Sequence, residues 1–430
     1  MKPGAIFHIA GEWKRSLLLL GYLLVMLLAS NALPVNASSE KSGSSEQRQA
    51  LGEYLARVGN CLGCHTAKGG QPFSGGRRLS TSFGTFVTPN ITSDKETGIG
   101  LWSEEDFWKA MHEGKSRDGR LLYPAFPFTE YTKVTREDAN LIFAYLQSVP
   151  PVSQYNPPHE IRFPYNYRPL LYIWRTLFFK QGTYEPDQTK SEEWNRGAYL
   201  VQGLGHCNAC HTARNVLGAS QDDTVGGGQI MGSNWYAPSL TSQQEAGSRD
   251  WSLEEIVELL LSGISRGATT SGPMGTVVRQ SLQYLSQGDM RAMAVYLQSL
   301  PESEAQPRMS YPEMPRNVRQ YLAQGEKLYK KHCQECHGTS GQGAPGIYPA
   351  LAGNRSVTMT IPTNVIRSVL NGGYPPTTAA NPRPYGMPPF QQIIRDEEVA
   401  QVVSFIRNAW GNRGGLVSAI DIDLSRGNGH

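Results

Sequence analysis

The chain has 430 residues, 39% hydrophobic and 18% charged, which suits about three folded domains and excludes general disorder. A formal net charge of +3 is too small to imply a nucleic-acid partner.

At the N-terminus, Lys2, Lys14 and Arg15 precede an apolar run from Ser16 to Ala29, and small residues follow. That is the layout of a secretory signal over residues 1–37, and cleavage after Ala32 or Ala37 fits it. The alternative is an uncleaved anchor, although the run is shorter than a typical span of about 20 residues. Either way the bulk of the chain is exported. No later segment is long and apolar enough to cross a membrane.

All six cysteines fall in three copies of one pattern: Cys61-Leu-Gly-Cys64-His65, Cys207-Asn-Ala-Cys210-His211 and Cys333-Gln-Glu-Cys336-His337. C-x-x-C-H reads as a site of covalent c-type haem attachment: both thiols add to the haem vinyl groups and the adjacent histidine supplies the proximal nitrogen. A zinc site would need two such pairs on one ion, and a redox dithiol does not require the trailing histidine. The expectation is therefore three haem c groups, with His65, His211 and His337 as iron ligands. Export agrees with it.

Around each motif the chain repeats itself, with a period too long for a solenoid. Each repeat opens with a short amphipathic helix, Leu51, Arg196 or Ala323 onward, in which a glycine is closely followed by Tyr-Leu or Leu-Tyr. Each closes on a second helix, with apolar residues at helical spacing such as Leu141, Ala144, Tyr145 and Val149. Pro150 and Pro301 end the first two of these. A middle helix follows Ser103 and Ser252, with Asp106 and Glu255 in capping-box position. The predicted fold class is all-α: three tandem cytochrome c domains over residues 38–150, 193–305 and 317–415. Proline-rich linkers at 151–192 and 306–316 join them, and 416–430 is a tail.

A proximal histidine leaves a sixth iron position, and a methionine thioether there suits electron transfer. The second and third repeats offer Met274 and Met387, each flanked by Gly and Pro on a loop. The first offers Phe126 in the corresponding stretch, Leu121 to Phe128. Aligning Gly114, Gly263 and Gly372 sets Met111 opposite Leu260 and Val369, positions that read as core. His112 aligns with Leu261 and Leu370, which also read as core. His159 lies past the last helix and could fold back, although a linker histidine is more often solvated. His206 and His332 precede their own motifs and are poorly placed to reach the far side of their own haems. The sixth ligand of the first haem is thus Met111, a histidine or none.

The long stretches "CLGCHTAKGGQPFSGG", "TPNITSDKETGIGLWSEEDF", "EWNRGAYLVQGLGHCNACHTARNVLGA" and "GMPPFQQIIRDEEVAQVVSFIRNAWGN" carry a family likeness. Over nearly its whole mature length the chain resembles the three-haem cytochrome c subunits of membrane-bound bacterial dehydrogenases. The resemblance implies an electron-transfer subunit, not an enzyme in itself. Its partner would be a separate catalytic subunit, a quinoprotein, flavoprotein or molybdenum enzyme, and its acceptor ubiquinone or a terminal oxidase. The implied place is the periplasmic face of the inner membrane, attached peripherally. Many relatives carry methionine where Phe126 stands; the Phe form is similar to versions associated with molybdenum-enzyme partners.

The first linker contains Phe163–Gly182, a basic, aromatic-rich segment in which Arg168, Arg175, Thr176 and Lys180 fall near one helical stripe. Such a helix lies in a membrane interface or packs on protein, and periodicity does not separate the two. An open first haem reducing peroxide is a competing function class, but the loop near Phe126 offers no distal His or Arg. A haem-based sensor would need an output domain that the sequence lacks.

Overall fold

The computed structural model describes residues 37–222, 224–305 and 316–426, with side chains from residue 45 onward. All three cysteine motifs lie in one compact unit, residues 49–430. Of the other, residues 1–48, only the start of the helix Ala37–Val58 is described, so the expected signal lies outside the described residues up to Ala37. The second linker lies outside them as far as residue 315.

The three repeats are assembled alike. Opening helices Ala37–Val58, Glu192–Tyr199 and Val318–His332 are matched by closing helices Arg136–Ser148, Gln287–Ser299 and Asp396–Asn408. The glycine shared by the opening helices marks where the pair crosses. A Cβ on Gly52 would lie 2.1 Å from the Leu141 carbonyl oxygen, one on Gly197 1.9 Å from that of Ala292, and one on Gly325 2.1 Å from that of Gln401. Only a residue without a side chain lets the backbones approach this closely.

Middle helices complete each repeat: Glu104–Trp108 continued by a π-helical turn Lys109–Glu113, then Leu253–Ser262, then Thr363–Asn371. Ser103 and Ser252 form the expected capping boxes with Asp106 and Glu255. The third middle helix starts instead after Pro362.

Strands are few. β1 (Arg78–Thr81) pairs antiparallel with β2 (Gly84–Val87), and β2 with β3 (Glu160–Ile161), in registers Arg78↔Val87 and Gly84↔Ile161. Because β3 comes from the first linker, that linker is folded onto the first repeat and is not simply an extended connector. Its helix, Leu170–Phe178, is shorter than the predicted stripe and leaves Arg168 and Lys180 outside it. Trp174 faces protein: its Nε1–H donates to the Leu217 carbonyl at 3.0 Å and its ring meets Phe128 edge-on. Its most exposed apolar side chains are Tyr172 (64%), Ile173 (59%) and Leu177 (64%). Among the described residues no helix is long and apolar enough to cross a membrane.

Two main cores result. One runs through the first and second repeats together, joining Leu55, Ile142 and Leu146 to Leu200, Leu204 and Met290. The other belongs to the third repeat, around Tyr329, Ile366 and Val403. Residues 416–426 were expected to form part of a tail. They continue this core instead: the helix Ala419–Arg426 buries Ile422 completely, and Arg426 pairs with Asp396. An isolated apolar residue such as Ile422 gives no sequence signal of that docking.

Candidate haem-binding sites

Each motif histidine stands at the end of a single helical turn, Cys61–Cys64, Asn208–His211 or Gln334–His337, and each finds the same kind of acceptor. His65 Nδ1–H donates to the Pro89 carbonyl at 2.8 Å, His211 Nδ1–H to that of Pro238 at 2.7 Å, and His337 Nδ1–H to that of Pro349 at 3.1 Å. A carbonyl oxygen only accepts, so in all three the proton sits on Nδ1 and the Nε2 lone pair is left free. This is the outer-shell contact that orients metal-binding histidines. Burial lowers the pKa of all three imidazoles, favouring the neutral form that can ligate.

The cysteines are free and unpaired by disulfides. Burial pushes the Cys61 and Cys207 thiols up to about 12 and the Cys333 thiol up to about 11, which favours the neutral thiol at these three positions. Among the described residues no group of three or more His, Cys, Asp and Glu gathers as a metal cluster. The donor set suits thioether attachment better than thiolate coordination.

The first repeat shows the space itself. A cavity of about 870 Å³ is lined by Cys61, Cys64 and His65 and, from other elements, by Ala110, Met111 and Phe126. Lys95, Arg117, Arg120 and Arg168 outnumber Glu96 and Asp118 along its lining, the charge balance that a macrocycle bearing carboxylates requires. Volume, attachment residues and charge all fit a haem.

On the other ligand positions the structure is specific. Met274 sits in the first turn of a helix, Gly272–Gln280, not on a loop: Pro273 occupies the start, where its missing N–H costs nothing. It is half-buried against the core of the first two repeats. Met387 does lie outside helices, half-buried against the third core, and it exchanges backbone hydrogen bonds with Gly373 at 2.7 and 3.0 Å. Phe126 lines the first cavity and packs on Tyr131, ring centroids 5.3 Å apart.

Sequence reasoning set His206 aside as poorly placed for its own haem and did not foresee its place beside the first. It lines the first cavity although it directly precedes the second motif, and its ring meets that of Tyr131 at 5.2 Å. No local signal could reveal this, because it depends on how the first two repeats pack. The helix carrying Met274 likewise reaches across: Gln280, at its end, lies close to Gly63 in the first cysteine turn.

A family model described as Cytochrome c matches residues 49–150, 195–301 and 322–410. The chain belongs to the cytochrome c family. This cytochrome is 37% identical over 88% of its length to the "Alcohol dehydrogenase (quinone), cytochrome c subunit" of Gluconobacter oxydans (strain 621H), covering 82% of that protein. It is 36% identical over 91% of its length to the "Gluconate 2-dehydrogenase cytochrome c subunit" of Pantoea cypripedii, again covering 91%. It is also 42% identical over 83% of its length to a nicotinate dehydrogenase subunit of Pseudomonas putida, a longer protein of which it spans only 30%. These likenesses make the cytochrome a member of the group formed by cytochrome c subunits of dehydrogenases.

Proposed function

We propose that this chain is the electron-transfer subunit of a dehydrogenase complex, carrying three covalent haem c groups in three tandem cytochrome c domains. Cys61 and Cys64, Cys207 and Cys210, and Cys333 and Cys336 would attach the haems. His65, His211 and His337 would be the proximal ligands, with Met274 and Met387 opposite His211 and His337. What a haem supplies when bound is a one-electron couple. The chain's own residues hold it: the prolyl carbonyls fix each imidazole, the thiols anchor the ring, and the buried apolar lining keeps water out. Electrons would enter from a separate catalytic subunit, whether quinoprotein, flavoprotein or molybdenum enzyme, and leave to ubiquinone or another respiratory acceptor.

The observation that carries this reading is the threefold His-to-prolyl-carbonyl contact next to three complete attachment motifs. The exposed Tyr172, Ile173 and Leu177 support peripheral attachment to the periplasmic face of the inner membrane. The test is a haem count on the exported protein, with identification of the large subunit that co-purifies. Three haems per chain and a reducible complex are expected; fewer than three haems, or reduction by no dehydrogenase, overturns the reading.

A further inference from the structure

The three repeats allow an internal comparison at two positions. Where the distal segment supplies methionine, Met274 or Met387, the aligned middle-helix residue is Leu260 or Val369. Where the distal segment supplies Phe126, the middle-helix residue is Met111. The methionine has changed places with an apolar side chain, so that each repeat keeps one methionine across these two positions.

The structure gives this exchange a physical basis. Met111 is 4% exposed and lines the same cavity as Cys61, Cys64 and His65. It sits in the π-helical turn Lys109–Glu113, whereas the middle helices of the other two repeats are α-helical from Leu253 to Ser262 and from Thr363 to Asn371. Between Ser103 and Gly114, and between Ser252 and Gly263, the residue count is the same, so the turn is rewound and not lengthened. A π turn is an unfavourable local geometry that persists mostly at functional sites, and it re-aims the residues it contains. Its closure is visible in the Gly114 N–H, which donates to the Lys109 carbonyl five residues back as well as to that of Ala110.

Three histidines lie nearby and differ in how their rings are held. His112 stacks on Trp108 with centroids 4.3 Å apart and donates from Nδ1 to the Thr132 carbonyl at 2.8 Å; it is not part of the cavity lining. His159 lines the cavity, but it packs edge-on against Phe86 and Tyr123 and its Nδ1 accepts from the Val87 N–H at 3.2 Å, which leaves the proton on Nε2 and no free lone pair there for iron. His206 does line the cavity, but its direction is set by the second motif. It adopts φ 42°, matching φ 50° at Asn60 before the first motif, and its Nδ1–H donates to the Leu204 carbonyl at 3.0 Å.

We propose that Met111, presented by the π-helical turn Lys109–Glu113, is the sixth ligand to the first haem iron, taking the role that Phe126 cannot fill. The inference rests on the haem-bearing function proposed above. Thioether ligation would make the first haem six-coordinate and closed to small ligands, so it would transfer electrons and not activate peroxide.

The experiment begins with a haem count on the full-length loaded chain, which tests the function separately from the ligand. With three haems present, the far-red methionine-to-ferric-iron charge-transfer band and carbon monoxide binding to the reduced protein are then measured. Wild type should bind no carbon monoxide rapidly. Met111→Leu, close to volume-conserving and so expected to fold, should lose one haem's share of the band and gain one carbon-monoxide-reactive haem. Met111→His should keep three closed haems while lowering the potential of one. A wild-type protein with one reactive haem overturns the assignment. So does an unchanged band in Met111→Leu, or a bis-histidine signal in wild type that vanishes in His206→Asn.

Discussion

Between the first and second repeats the contact is an apolar core, whereas between the second and third it is made of hydrogen bonds and cations. Leu200 and Leu204, both fully buried, belong to the second repeat's opening segment yet share a cluster with Leu55, Val134 and Ile142 of the first. Polar links reinforce the junction: Tyr199 Oη–H donates to Asp138 at 2.5 Å, and Tyr54 Oη–H to Asp289 at 2.6 Å. The third repeat instead docks through Asn364, which accepts from the Tyr236 N–H at 3.0 Å and donates to its carbonyl at 2.7 Å, and through Arg355, which pairs with Asp250 and lies over Trp251. A junction driven by apolar burial is non-directional and cooperative; one made of individually satisfied polar contacts can open locally. The first two repeats should therefore unfold as one body and the third as another.

The largest test of that contrast is Leu200→Ala. Leaving a cavity in the shared core should cost about 2–5 kcal/mol. Hydrogen exchange should quicken together around Leu55 and Leu297 while amides near Val403 keep their protection. Faster exchange confined to the second repeat would break the comparison. Asn364→Ala comes next: it strands the Tyr236 backbone groups at the junction, at about 1–3 kcal/mol. Protease access should rise between the second and third repeats, with thermal unfolding of the first two unchanged.

Asp289→Asn is the smallest. Burial works against the Asp289 charge, yet bonds from Arg196 at 2.8 Å and Tyr54 hold its pKa below the ordinary carboxylate value. A depressed carboxylate contributes stability above its unfolded pKa, about 3.9, and loses it as pH falls through the folded value. The Asn variant should thus be less stable near neutral pH by about 1 kcal/mol, in keeping with a partly exposed pair. The deficit should shrink on acidification, as denaturant titrations at two pH values would show.

Much of this was legible locally. The attachment motifs, the glycine at each helix crossing and the caps at Ser103 and Ser252 are encoded within a few residues, because covalent spacing, close approach and hydrogen-bond closure are short-range demands. What was hidden is tertiary. An apolar helical face does not say which neighbour covers it, so the core shared by the first two repeats left no trace in periodicity. The same ambiguity left open whether the helix Leu170–Phe178 meets lipid or protein; in the structure Trp174 packs on Phe128 while Ile173 and Leu177 face out. Met111 read as core, and it is buried; only the π-helical turn and the cavity beside it separate a ligand from a packing residue.

The prolyl acceptors have a consequence for energy flow. A proline carbonyl belongs to a residue with no N–H of its own and a locked φ, so its position is tightly fixed. With the same kind of acceptor at 2.8, 2.7 and 3.1 Å, all three imidazoles are polarised from behind in the same sense, the third over the longest contact. In the proposed relay, the downhill gradient from entry to exit must then be written on the other side of each ring, in ligand choice, burial and nearby charge. On that proposal the histidine side of each haem would be a common reference, and the opposite side the place where the potential is set.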